Sequence, residues 1–150
     1  MNYLIHQLLN AEEINLIKKE LEEVNQDWED GKNTAGSHAT FVKNNLQLNR
    51  NSEVSKKYSQ LVNKKILSNQ LIKSFSLPKR IHGIMFTKSS KGMSYGRHID
   101  NAYMSSGRAD LSFTIFLYLN LLSKFLILQN LVVLELNNSF LILKMIQSYV

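Results

Sequence analysis

The chain has 150 residues, no cysteine, and 18 lysines and arginines against 12 aspartates and glutamates, for a formal charge of +6. That length suits one domain with a real core, and the missing thiols exclude a disulfide framework and thiolate metal sites. Most of the lysines are spread from Lys18 to Lys91 without a tight run, so a solvated basic surface is expected rather than a nucleic-acid interface.

Met1 to Asn10 has no basic segment leading into a long apolar stretch, so a secretory signal is not expected and the cytoplasm is the expected location. Ala11 to Asn25 carries Ile14, Ile17, Leu21 and Val24 at helical spacing, with Glu12, Glu13, Glu20, Glu22 and Glu23 on the other face, which predicts an amphipathic helix. Asn10 followed by Glu13 predicts a capping box at its start. Trp28 to Ala39 holds Gly31 and Gly36 among polar residues and reads as an ordered loop, with Trp28 as a packing anchor. A second helix is predicted from about Ser52 to Phe75, burying Val54, Tyr58, Leu61, Leu67 and Leu71, and Pro78 stops it.

Strand-like runs follow from Arg80 to Phe86 and from Asp110 to Leu117. In the second, Leu111, Phe113, Ile115 and Leu117 alternate with Ser112 and Thr114, the period of a strand with one buried face. Between the two, Ser89 to Gly96 contains Gly92 and Gly96 and reads as a turn that delivers Tyr95 and His98 into a strand.

The composition then changes. From Leu111 to Val150 twelve of forty residues are leucine, three are charged, and none is glycine or proline. A β segment of that length normally needs turn residues. A membrane helix needs about 18–20 continuous apolar residues, and Asn120, Ser123, Lys124, Gln129 and Asn130 interrupt the run. Two parts are therefore expected, residues 1–117 and a Leu-rich tail at 118–150.

The chemistry-bearing segment is Tyr95-Gly96-Arg97-His98-Ile99-Asp100-Asn101-Ala102. His-x-Asp offers an imidazole and a carboxylate to one metal ion, a donor set that suits ferrous iron. The spacing alone is a weak signal; two extended blocks around it carry more. The first comprises Trp28, Asp30-Gly31, Thr34-Ala35-Gly36, Ala39 and Val42-Lys43-Asn44-Asn45 with Gln47. The second comprises Gly92-Met93-Ser94-Tyr95-Gly96, His98-Ile99-Asp100-Asn101-Ala102 and Arg108-Ala109-Asp110-Leu111-Ser112 with Thr114 and Phe116-Leu117. In these blocks the chain resembles the bacterial PKHD-type hydroxylases, a branch of the prolyl-4-hydroxylase-like Fe(II)/2-oxoglutarate dioxygenases.

The resemblance implies an α+β fold, with N-terminal helices before a double-stranded β-helix (jelly-roll) core that is incomplete at its C-terminal end. It implies His98 and Asp100 as Fe(II) ligands, Tyr95 lining the 2-oxoglutarate pocket and donating its hydroxyl to a carboxylate oxygen, and Asn101 orienting Asp100. L-ascorbate is the implied reductant. The implied reaction is hydroxylation, nominally of peptidyl proline, coupled to decarboxylation of 2-oxoglutarate to succinate. The implied partners are this small-molecule cosubstrate and a peptide or small-molecule substrate, with no nucleic acid and no membrane.

Similar proteins carry, beyond the strand matching Asp110 to Leu117, a second iron histidine and an arginine for the distal carboxylate of 2-oxoglutarate. Here the histidines are His6, His38, His82 and His98, and residues 118–150 contain no histidine, arginine or glycine. Ser89 also stands where an aromatic residue is expected. The implied enzyme is thus short of parts, as a truncation or a change of reading frame near Leu117 would leave it. Two other classes stay open: a non-catalytic remnant or binding protein, and a protein weakly associated with membranes through its tail. His6, His38 and His82 are expected to be structural or solvent-facing, and Arg97 and Arg108 to form surface ion pairs. A jelly-roll lacking its later strands would leave open sheet edges and exposed apolar surface.

Overall fold

The computed structural model describes residues 3–37, 39–97, 103–104, 107–117 and 141–145. They form an α+β arrangement of three helices and small antiparallel sheets, with a core that joins the helices to residues of two of those sheets.

After strand β1 (Tyr3–His6), helix α1 (Ala11–Glu23) starts as its sequence dictates. The Asn10 side chain accepts from the Glu13 backbone N–H at 2.9 Å, and the Glu13 carboxylate accepts from the Asn10 N–H at 3.0 Å. This reciprocal box satisfies two donors that the first turn leaves without helical partners. Ile14, Ile17 and Leu21 are buried along one stripe. The helix stops short of Asn25 because Val24 leaves the helical region, and a 3-10 turn, Asn25–Asp27, follows.

The predicted polar loop begins instead with strand β2 (Trp28–Asp30), which pairs antiparallel with β4 (Leu46–Leu48). The pairing comes from a partner sixteen residues or more away, and Glu29 and Asp30 face solvent, so no apolar alternation marks the strand. Trp28 does anchor the chain: it packs on the core, and its indole N–H donates to the Leu21 carbonyl at 3.3 Å. Strand β3 (Lys43–Asn44) lies just before β4.

The second helix is two helices, α2 (Glu53–Ser68) and α3 (Gln70–Ser76). Asn69 divides them in an extended conformation, capping α3 by accepting from the Ile72 N–H at 3.0 Å. The buried stripe of α2 is Ser55, Tyr58, Val62 and Ile66, and the break brings Ile72 into the core. Leu67 and Leu71, predicted as buried, are exposed, while Val54 and Leu61 lie half-buried at the rim of the core. Leu77 closes α3 in the left-handed region, with φ 44°, and Pro78 prevents continuation.

Two ion pairs tie α1 to α2, Glu13–Lys65 at 2.5 Å and Glu20–Lys57 at 2.6 Å, and their order along the chain makes the helices antiparallel. Hydrogen bonds from Lys65 and from the Asn10 N–H hold the Glu13 carboxyl below its ordinary value, and the bond from Lys57 does the same for Glu20. A carboxyl with a lowered native pKa stabilises the fold above its unfolded pKa, and that contribution fades as pH falls through the native one. Urea midpoints are therefore expected to drop with acidification below about pH 4.5, and a Glu13→Gln/Glu20→Gln variant should show a flatter acid limb.

The predicted strand from Arg80 to Phe86 forms no ladder. Ile81, Ile84 and Phe86 pack on the helical core, so their apolar signal reflects burial rather than pairing. Ladder contact begins where the Phe86 carbonyl accepts from the Leu48 N–H at 3.0 Å, leading into β5 (Thr87–Lys88), which pairs with β4. The expected turn then delivers β6 (Ser94–Tyr95) to β3; Gly92, at φ 85°, supplies the reversal that a larger residue would resist. Strands β7 (Tyr103–Met104) and β8 (Gly107–Arg108) form a short hairpin.

Strand β9 (Leu111–Ile115) lies within the predicted run, and Phe113, Ile115 and Leu117 pack against the core. Its neighbour is β10 (Leu141–Met145), which sits between β1 and β9 in an antiparallel three-stranded sheet. Part of the Leu-rich tail is thus a sheet strand, covering edges that β1 and β9 would otherwise present to solvent. No helix among the described residues is long and apolar enough to cross a membrane.

Candidate functional site

Along the run from β3 to β4, alternate residues share a face. Leu48 faces the helical core, as the neighbouring face should. The other face consists of Lys43, Asn45 and Gln47, which are 3%, 6% and 5% exposed. Three successive same-face positions that are buried and polar violate the expected strand pattern, and burying such groups is costly unless each finds a partner.

The partners come from the adjoining turn. Asp30 caps a 3-10 turn at Gly31–Thr34 by accepting from the Lys32 N–H at 2.9 Å, which positions Thr34. The Lys43 Nζ donates to the Thr34 Oγ1 at 3.1 Å, the Thr34 hydroxyl is hydrogen-bonded to the Gln47 Oε1, and the Gln47 Nε2 contacts the Met85 Sδ at 3.1 Å. Asn45 Oδ1 has no hydrogen-bond partner among the described residues. Gly31 makes this closeness possible. Its N–H donates to the Asn45 carbonyl at 2.8 Å, and a Cβ there would lie 2.0 Å from Asn45 Oδ1. A cavity of about 240 Å³ touches Thr34, Gln47 and Met85 and is also bordered by Asp30 and Arg50.

Tyr95 joins the site through register. In the β3–β6 ladder it stands directly opposite Lys43, and the Lys43 Nζ lies 5.1 Å from the centre of its ring, a cation–π arrangement. The Gly96 N–H donates to the Val42 carbonyl at 2.8 Å, and a Cβ at Gly96 would come within 3.0 Å of the Val42 Cβ. Glycine therefore keeps the backbone against β3 two residues before His98. Desolvation, reinforced by the charge of Arg50 and opposed by Asp30, holds the Lys43 ammonium below its ordinary pKa. Lys43 forms no ion pair with a carboxylate among the described residues.

Of the predicted site residues, Tyr95 lies half-buried in this wall. His98, Asp100 and Asn101 fall outside the described residues, as does His38. Among the described residues no three His, Asp or Glu side chains cluster to hold a metal. The described histidines play other parts. His6 Nε2 and Asn69 Nδ2 are 2.9 Å apart, bracing the α2–α3 junction, and His82 Nε2 lies 3.0 Å from the Arg108 carbonyl. Arg108 pairs with Asp110 at 2.5 Å on the surface, as expected, and Arg97 is exposed. The chemistry available in the described wall is a buried ammonium, a hydroxyl and two amide groups beside an aromatic ring, a donor-rich lining suited to an anionic ligand.

Thr34, Lys43, Asn45 and Gln47 lie within the first family-like block, where the sequence alone assigns them no role. The signal was present: Lys43-x-Asn45-x-Gln47 alternates polar groups at strand period beside Leu46 and Leu48.

No protein-family model matches the chain. Among curated proteins, a PKHD-type hydroxylase from Prochlorococcus marinus strain MIT 9301 is 84% identical over 116 residues, covering 77% of this chain and 52% of the relative. A second, from strain MIT 9215, is 73% identical over 117 residues, with 78% and 53% covered. A third, from strain MIT 9515, is 68% identical over 115 residues, with 77% and 52% covered. The chain spans about half the length of these curated relatives. Over the matched stretch, this chain belongs to the PKHD-type hydroxylases.

Proposed function

We propose that this chain carries the first half of an Fe(II)- and 2-oxoglutarate-dependent hydroxylase site built on a jelly-roll core. The observation that carries the reading is the buried polar wall of Lys43, Asn45 and Gln47, which stands against Tyr95 three residues before His98-Ile99-Asp100. Burying such a face is costly where its groups lack partners, as Asn45 Oδ1 does among the described residues, and a ligand site is one use that repays the cost.

In this reading His98 and Asp100 hold the iron, Asn101 orients Asp100, and Tyr95 donates its hydroxyl to the cosubstrate. Bound iron supplies oxygen activation, with L-ascorbate keeping it reduced. The protein's own residues bind and orient the 2-oxo acid and exclude water. The substrate is a peptide, nominally at proline, or a small molecule, and the setting is cytoplasmic. Within these 150 residues no histidine follows His98 and no arginine follows Arg108, so the reading includes impaired activity. A boundary near Leu117, with residues 118–150 encoded out of the family's frame, is supported by matches 115–117 residues long. The gene sequence past Leu117 tests it: a family-like peptide in another frame is expected, and its absence from both would sink that boundary. The rival reading, a remnant that binds without catalysis, differs in having no use for a metal.

Affinity for a metal follows ligand number and preformed geometry, so two protein ligands predict weak binding. Titration of the chain with Fe(II) under argon should show weak uptake that is lost in His98→Ala and Asp100→Asn. Uptake identical in those variants would remove the metal role from this pair.

A further inference from the structure

Lys43 is almost wholly inside the protein, yet its ammonium has one hydrogen-bond partner, the neutral Thr34 hydroxyl. An ammonium carries three donors, so two have no hydrogen-bond acceptor among the described residues. Buried charges are ordinarily paired, because an uncompensated one is expensive to desolvate. No carboxylate among the described residues pairs with this cation, and the Tyr95 ring provides only a weak substitute at 5.1 Å. Asp30 acts on it only at longer range, and the positive Arg50 opposes the charge. The cost of keeping a cation here makes sense if an anion arrives from outside.

We propose that Lys43, flanked by Thr34 and Tyr95, anchors a carboxylate of the dicarboxylic 2-oxo acid that this site takes. The inference rests on the cosubstrate reading given above and adds to it a specific cation, located on the N-terminal side of the motif. Two charge-assisted N–H donors from Nζ reach the carboxylate, and the Thr34 hydroxyl keeps the ammonium aimed. Lys43 is a binding residue here; the proposal gives it no part in moving protons or electrons.

The test uses the intact, metal-free chain titrated with 2-oxoglutarate and, separately, succinate, followed through the backbone amide signals of Thr34 and Tyr95. Wild type is expected to bind both. Lys43→Met should weaken both by about tenfold or more, the equivalent of losing one charge-assisted contact. Lys43→Arg, which keeps the charge, should retain most of the binding and shows that the fold is not at issue. Equal binding of 2-oxoglutarate by wild type and Lys43→Met would overturn the anchor while leaving the cosubstrate reading intact. Lys43-dependent binding of succinate without any binding of 2-oxoglutarate would leave Lys43 a carboxylate site but overturn the 2-oxo acid as its ligand, and the cosubstrate reading with it. Failure of wild type to bind either anion would overturn the anchor outright.

Discussion

Gly31→Ala is expected to lower stability by about 1–3 kcal/mol, the range for forcing an extra carbon into a packed site. The added methyl would lie 2.0 Å from Asn45 Oδ1 and 2.8 Å from the Asn45 carbonyl, so backbone as well as side chain must move. It would also disturb the 2.8 Å bond from the Gly31 N–H to that carbonyl. Because Thr34 ends the same turn, the strain should reach the Lys43–Thr34–Gln47 contacts. A chemical denaturation midpoint, compared with Gly36→Ala as a control in open space, measures the effect. Matching midpoints for the two variants would show that the turn relaxes freely and that the wall is not fixed by Gly31.

Lys43→Met should act in the opposite direction, stabilising the free protein by about 1–3 kcal/mol. Methionine fills similar space without a buried charge, and no ion pair among the described residues is broken by the change. The pH dependence carries the same signature. With its native pKa below the ordinary lysine value of 10.5, the ammonium destabilises the fold in full below the native pKa. Between that value and 10.5 the unfolded chain binds more protons, so stability rises with pH. Wild type should therefore show an alkaline rise that Lys43→Met lacks. A binding group that weakens its own scaffold is the usual stability–function trade-off; loss of stability in Lys43→Met would mean that the lysine is structural.

Local chemistry was the part of the fold that could be read from the sequence. The Asn10–Glu13 box and the Ile14, Ile17, Leu21 stripe depend on residues within a few positions of one another, and both formed. The break at Asn69 was missed because apolar residues continue on either side of it; only the cap to Ile72, and with it the rotation of the stripe, reveals two helices. Trp28–Asp30 and Arg80–Phe86 failed for the converse reason. Whether a short segment pairs depends on partners far along the chain, and apolar content reports burial without saying how it is achieved. Leu141–Met145 became a central strand through β1 and β9, which no local pattern near it announces.

The site divided along similar lines. His98 and Asp100 are visible as a motif because metal ligands recur at fixed spacing. Tyr95 opposite Lys43 is a fact of register, and a lysine on a two-residue strand reads as surface until burial places it inside.

The proposed role requires residues up to Leu117 to supply half of a hydroxylase site. Joining residues 1–117 to the remaining half of the strain MIT 9301 relative and measuring succinate formation with Fe(II) and 2-oxoglutarate tests it directly. The chimera should release succinate in an iron-dependent manner, and His98→Ala within it should abolish the release. A folded, soluble chimera that forms no iron-dependent succinate would contradict the assignment.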